Sequence, residues 1–359
     1  MASDGISLLD FLAFPGFLVQ VFLRTISETA KKMTVSIKDV ARAAGVSPAT
    51  VSRALGTGPV SQQLRDQVAA AVRETGYRPN LSARRLRSQH TQTIGLIVAD
   101  ISNPFFTAVA RAVEDAAYQA GLRVILCNTD ENPEREAMYL KLMEEERVTG
   151  VIFAPTRVTA ERMSRQPAPY PMVLIDRAPQ GGGRDAVVLD NAAAAGLLVE
   201  HLAAQGFTRI AGLFGNASTT GIERHAGYQA AMRRLGLPPA ETFIAPSIAA
   251  AAAEIGGWFV RGETPEAVIA SNGLLLLGIV RAMRAAGKTT PQDLAVAGFD
   301  NETWTELVGP GLTVIEQPVA EMGASAMRLL LDRLDAPEAA TRKVVLSGRC
   351  VVRGSTARK

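Results

Sequence analysis

From residue 90 onward the chain alternates short, uninterrupted apolar runs with longer amphipathic stretches. TIGLIVA at 93–99, RVILCNT at 123–129, GVIFAP at 150–155 and MVLID at 172–176 read as strands, with helices predicted from Pro104 to Ala120 and from Glu134 to Glu146. The scheme repeats as RIAGLF at 209–214, AVIA at 267–270 and LAVAGFD at 294–300, with helices near Gly221 to Leu235 and Leu274 to Ala286. Short apolar runs separated by helices are buried parallel strands covered on both faces. Two such series predict two α/β lobes, each built on a doubly wound parallel sheet.

From Ser36 to about residue 76 the pattern is helical. Ser36 is placed to cap a helix, Asp39 stands three residues on as its capping-box partner, and Ile37, Val40, Ala41 and Ala44 share one face. Gly45 stops that helix. Ser47 caps the next, with Pro48 at its first position, where a missing N–H costs nothing, and Val51, Ala54 and Leu55 continue the stripe. A third helix runs from about Gln62 to Glu74, closed by Gly76, with Leu64, Val68, Ala71 and Val72 facing the other two. Two short helices joined by Gly45-Val46-Ser47 form a helix-turn-helix, so the head is expected to be all-α.

Charge separates head from body. Residues 34–90 carry nine Lys/Arg against three acids, whereas residues 91–359 carry 26 against 29. A basic head on a slightly acidic body is the footprint of a polyanion-binding module. At 359 residues and 47% hydrophobic content the chain supports two or three packed cores. Cys127 and Cys350 lie far apart in apolar segments, as buried thiols do in a reducing cytoplasm. The apolar run Ile6 to Leu23 is broken by Asp10, Pro15 and Gln20 and follows Asp4 with no basic residue, which suits neither an export signal nor a spanning helix. Residues 1–32 are therefore expected to be a non-native or disordered extension ahead of a start at Met33, the rival readings being a weakly ordered tail or an interfacial amphipathic segment. No membrane partner is expected.

The string IKDVARAAGVSPATVSRAL, followed by VSQQLRDQVAAAVRETGYRPNLSARRLRS and TIGLIV, resembles the lactose-repressor (LacI/GalR) family over about residues 34–355. The resemblance implies a cytoplasmic transcriptional regulator, usually a repressor, that binds a pseudo-palindromic operator as a homodimer, or as a tetramer. Its domains would be a helix-turn-helix at 33–78, a hinge helix and linker at 79–90, and an effector-binding and dimerisation core at 91–359. That core would resemble periplasmic binding proteins, with one lobe from about 91–190 plus 308–335 and the other from 191–307 plus 336–359. In the head, Ser36, Ser47, Pro48, Ala49, Thr50, Ser52 and Arg53 would meet DNA. Short residues at the start of the second helix let it sit deep in a major groove, where Arg53 reaches a guanine edge or a phosphate. In the hinge, Asn80 caps a helix whose Ala83, Arg84, Leu86 and Arg87 also contact DNA, and Leu86 matches a wedge pushed into a minor-groove base step.

Ligands of doubly wound sheets bind beyond the carboxyl ends of the strands. The residues expected there are Asn103, Phe105, Phe106, Asp176, Arg177, Asn191, Ser218, Thr220, Arg224, Asn272, Asp300 and Trp304. By resemblance Arg224 and Asp300 are the effector-binding arginine and acid. Where the family usually reads Asn-Asp after AVIA, this chain has Asn272-Gly273, which suggests a cleft with one carboxylate fewer. Together with the C-terminal stretches GFDNETWTELVGPGLTVIEQPV and RKVVLSGRCVVRGST, it points to the 2-ketogluconate-responsive branch and a sugar-acid effector, with neutral sugars and purines as alternatives. No cofactor, metal or enzymatic role is expected, since His90, His201 and His225 belong to no catalytic motif. A two-lobe sugar receptor without DNA function is the rival class, and the basic head argues against it.

Overall fold

The computed structural model describes residues 35–55, 59–77, 91–163, 168–179, 181–216 and 218–358. The chain divides between residues 89 and 90 into two compact units. In the head, α1 (Ile37–Ala43), α2 (Pro48–Ala54) and α3 (Gln62–Thr75) pack around Val40, Ala41, Ala44, Val51, Val68 and Ala71. The Asp39 carboxylate accepts from the Ser36 N–H at 3.0 Å and from its hydroxyl at 2.6 Å, closing the first helix as its spacing predicts. Gly45 and Gly76 take the left-handed backbone, with φ of 61° and 65°, that ends a helix cheaply only at glycine. The hinge residues Asn80, Ala83, Arg84, Leu86 and Arg87, and the extension at 1–32, lie outside the described residues.

The body holds two six-stranded sheets. The first has the order β11-β5-β4-β3-β1-β2 and comprises β1 (Thr93–Val98), β2 (Arg123–Asn128), β3 (Gly150–Phe153), β4 (Met172–Ile175), β5 (Asp185–Leu189) and β11 (Lys343–Leu346), all pairing in parallel. The second has the order β12-β10-β9-β8-β6-β7 and comprises β6 (Ile210–Gly215), β7 (Ala240–Ile244), β8 (Ala267–Ala270), β9 (Ala295–Phe299), β10 (Thr313–Glu316) and the antiparallel β12 (Arg349–Val351). Alternation along β1 shows why these runs are apolar on both sides. Ile94, Leu96 and Val98 join the core under α4 (Pro104–Gln119) and α12 (Val319–Asp335), while Ile97 packs with Met143 of α5 (Pro133–Glu145) on the other face. Among the described residues no helix is long and apolar enough to cross a membrane.

The lobe boundaries differ from those expected. The segment at 308–316 belongs to the second sheet through β10, not to the first lobe, and the switch comes at Gln317-Pro318. Within the stretch assigned to the second lobe, β11 instead completes the first sheet against β5, and only β12 returns to the second. These strands are three or four residues long, and β11 and β12 hold only exposed and half-buried positions, so neither has the fully buried pattern of a central strand. A near-buried ion pair, Arg333 Nε to Asp185 at 2.9 Å, holds α12 to the first lobe.

Candidate functional site

Strands β1, β4, β6, β8 and β9 deliver their carboxyl ends to one cleft between the lobes. It is lined by Asp100, Asn103, Phe105, Phe106, Glu131, Asp176, Arg177, Ser218, Thr220, Arg224, Pro246, Asn272, Leu274, Asp300 and Gln317. Three helix N-termini open onto it. Asn103 caps α4, Ser218 caps α8 (Thr219–Arg234) and Asn272 caps α10 (Gly273–Ala285), each side-chain oxygen accepting a backbone N–H. Their dipoles add positive potential to a cleft that also holds the four carboxylates of Asp100, Glu131, Asp176 and Asp300.

Asp176 and Asp300 follow β4 and β9 directly, and both sit in the left-handed region, at φ 67° and 76°. Asp is among the side chains that tolerate this strained backbone, and strain of this kind clusters at ligand sites. Asp300 accepts from the Gly273 N–H at 2.8 Å and from Gln317 Nε2 at 2.7 Å. A Cβ on Gly273 would stand 3.2 Å from the Asp300 carboxylate, so the missing side chain gives that carboxylate room. Position 273 thus carries no carboxylate of its own, and the expected acid Asp300 stands beside it. Burial pushes the Asp176 carboxyl up to about 6, although Arg177 and Arg224 oppose the shift.

The two arginines differ in what they leave free. Arg177 donates through Nε to Asp176 at 3.2 Å, through both terminal nitrogens to Glu131 at 2.7 and 2.6 Å, and to the Pro155 carbonyl at 3.4 Å. Four of its five N–H groups are thus engaged. Burial works against its charge, but the Glu131 hydrogen bonds and carboxylate more than offset that and raise its pKa. Arg224 donates through Nε to Asn191 at 2.8 Å and through one terminal nitrogen to the Ser271 carbonyl, and its guanidinium carbon lies 4.0 Å from the centre of the Phe299 ring. Among the described residues no carboxylate stands within ion-pair distance of it, although it is only 4% exposed. Burial accordingly lowers its pKa, with Asp300 and Asp176 opposing. Gly221 lets α8 seat this arginine, since a Cβ there would meet the Gly215 carbonyl at 2.1 Å.

Of the twelve expected cleft residues, ten line it. Asn191 stands behind Arg224, accepting from it while donating to Glu223 at 2.7 Å. Trp304 does not line the cleft: on the short helix α11 (Thr303–Leu307) it packs against the core of the second lobe. Sequence reading missed Asp100, Glu131 and Gln317. Gln317 sits at a crossover between lobes; its amide donates to Asp300, and its Oε1 is buried with no hydrogen-bond partner among the described residues. In the head, Ser47 accepts from the Thr50 N–H at 3.1 Å, while Pro48 and Ala49 stand exposed at the start of α2 and, in its last turn, Arg53 is exposed and Ser52 half-exposed. Among the described residues no group of three His, Cys, Asp or Glu is placed to hold a metal.

A helix-turn-helix carried on a two-lobe body with a polar, aromatic-walled cleft defines a DNA-binding transcriptional regulator governed by a small-molecule effector. Residues 36–80 match the sequence profile of bacterial regulatory proteins of the lacI family, and residues 199–356 that of a periplasmic binding protein-like domain. The HTH-type transcriptional regulator DegA of Bacillus subtilis is 34% identical, over 90% of this chain and 98% of its own length. The HTH-type transcriptional regulator PtxS of Pseudomonas plecoglossicida is 32% identical over 93% and 98%, and the ribose operon repressor of Escherichia coli 32% over 89% and 99%. Among solved structures, the lac repressor dimer bound to operator and the anti-inducer ONPF superposes with a TM-score of 0.81 at 27% identity, covering 90% of this chain and 100% of that one. The chain belongs to the lacI family of bacterial regulatory proteins.

Proposed function

We propose that this regulator is a cytoplasmic repressor that binds a pseudo-palindromic operator as a homodimer and is controlled by a sugar acid such as 2-ketogluconate. One observation carries the effector reading: Arg224 is a buried guanidinium that, among the described residues, has three N–H groups unengaged and no carboxylate partner, beside a cleft wall rich in hydroxyl acceptors. A carboxylate on the ligand would complete it. Asp176 and Asp300 would then accept hydroxyls, with Phe105 and Phe106 against the apolar face of the sugar. A neutral pentose is the second reading, favoured by the excess of carboxylates over guanidiniums in the cleft and by the ribose operon repressors among the relatives.

Thermal unfolding of the full chain with sugar acids, neutral sugars and purines separates these readings, because a ligand that binds only the folded state raises the melting temperature. We expect sugar acids to stabilise the wild type and to release operator in gel shifts, and Arg224→Ala to lose both responses while binding operator normally without ligand. A neutral sugar that acts alone would replace the effector assignment and leave the regulator standing.

A further inference from the structure

We propose that Glu131 decides which end of the cleft accepts an anion: by covering Arg177 it reserves the negative group of the ligand for Arg224 and leaves the Arg177 end to a hydroxyl. The inference rests on the sugar-acid reading for its biological ligand. Its physical content, one cation masked and the other bare, does not.

The chain goes to some length to place this carboxylate. Asp130 and Glu131 are consecutive non-glycine residues in the left-handed region, at φ 51° and 56°, in the turn between β2 and α5. Such a pair is strained and persists only when its surroundings fix it. Here the Glu131 N–H is held by the Ala99 carbonyl at 2.9 Å, Asn128 donates to Asp130 at 2.6 Å, and Arg135 pairs with Asp130. The braced turn lays the Glu131 carboxylate side-on against both terminal nitrogens of Arg177, in the two-point geometry a ligand carboxylate would otherwise take. With Nε on Asp176 and a further N–H near the Pro155 carbonyl, one N–H remains, enough for a neutral oxygen and too little for a carboxylate. Arg224, on the other lobe, has the opposite arrangement, with amide and carbonyl partners only. The cleft is thus polarised, and a ligand with one carboxylate has one favourable orientation.

Sulfate provides a probe independent of any sugar. Thermal unfolding of the full chain is followed against sulfate at ionic strength matched with chloride, for the wild type, Glu131→Gln, Glu131→Asp and the double variant Glu131→Gln with Arg177→Met. Uncovering Arg177 in Glu131→Gln should lower the half-saturating sulfate concentration about tenfold relative to wild type, the scale of one charge-assisted pair. Glu131→Asp, which keeps the charge, should follow the wild type, and the double variant should lose the gain. In the wild type alone, an aldonic acid, with one carboxylate, should bind about tenfold more tightly than the aldaric acid of the same sugar, which carries one at each end. No gain in Glu131→Gln, an equal gain in Glu131→Asp, or equal binding of the two acids by the wild type overturns the proposal. If no sugar or sugar acid binds the wild type, the effector reading fails, and the sulfate comparison still judges Glu131.

Discussion

Burial sets the acidity of Asp176 more strongly than either neighbouring arginine does. Its folded pKa of about 6 lies above the ordinary 3.8, so the folded chain holds an extra proton between those values. Stability from this group is therefore full below about pH 4 and is lost as pH rises through 6. At neutral pH the ionised carboxylate is a net cost on the order of 3 kcal/mol. Asp176→Asn is expected to raise the melting temperature of the ligand-free protein at pH 7, with an advantage that shrinks toward pH 5, and to weaken effector binding tenfold or more. Melting curves across that pH range, paired with ligand titrations, check both halves.

The start of α2 offers a similar separation of roles at the level of one element. Ser47 satisfies the Thr50 N–H, and removing such a cap costs about 1 kcal/mol, a large share for a head whose core is six small or medium side chains. Ser47→Ala should lower head stability by that amount and weaken operator binding without touching effector affinity. Ser47→Asp should restore the helix while repelling phosphate, so its operator affinity should stay low in gel shifts despite recovered helicity in circular dichroism. Elements of this kind were legible in advance because cap, proline and glycine signals are local. The runs of β1, β3, β4, β8 and β9 were legible because strands buried on both faces are apolar throughout. Strands β7, β11 and β12 were not, since half-exposed edge positions carry no such signal. The same logic sorts the cleft. Asp176 and Asp300 follow apolar runs and could be found by counting, whereas Glu131 and Gln317 owe their places to a strained turn and a lobe crossover. Trp304 misled because an aromatic after a strand end suits a ligand wall and a lobe core equally well.

At the scale of the whole molecule, head and body divide the work: one reads a polyanion, the other a small polar ligand. Operator binding is expected to saturate at two chains per pseudo-palindromic site and to fall steeply with salt, with a slope near −0.9 for each phosphate neutralised. Residues 91–359 alone should bind effector and show no such operator affinity, and a fragment that still bound operator tightly would refute the division. Among the described residues, side-chain hydrogen bonds between the halves of the cleft are confined to the crossovers, as at Gln317 and Asp300, so an effector is the natural bridge between the lobes. The crossovers also govern how the chain is made. The head is synthesised first and packs on its own residues, and five strands of the second sheet follow, β6 to β10, with β12 left to the end. The first sheet must wait for α12 and β11, translated after every residue lining the cleft. During synthesis there is accordingly an interval in which the nascent protein has a finished DNA reader and an unfinished sensor, and the last strands translated bring its binding under the control of a metabolite.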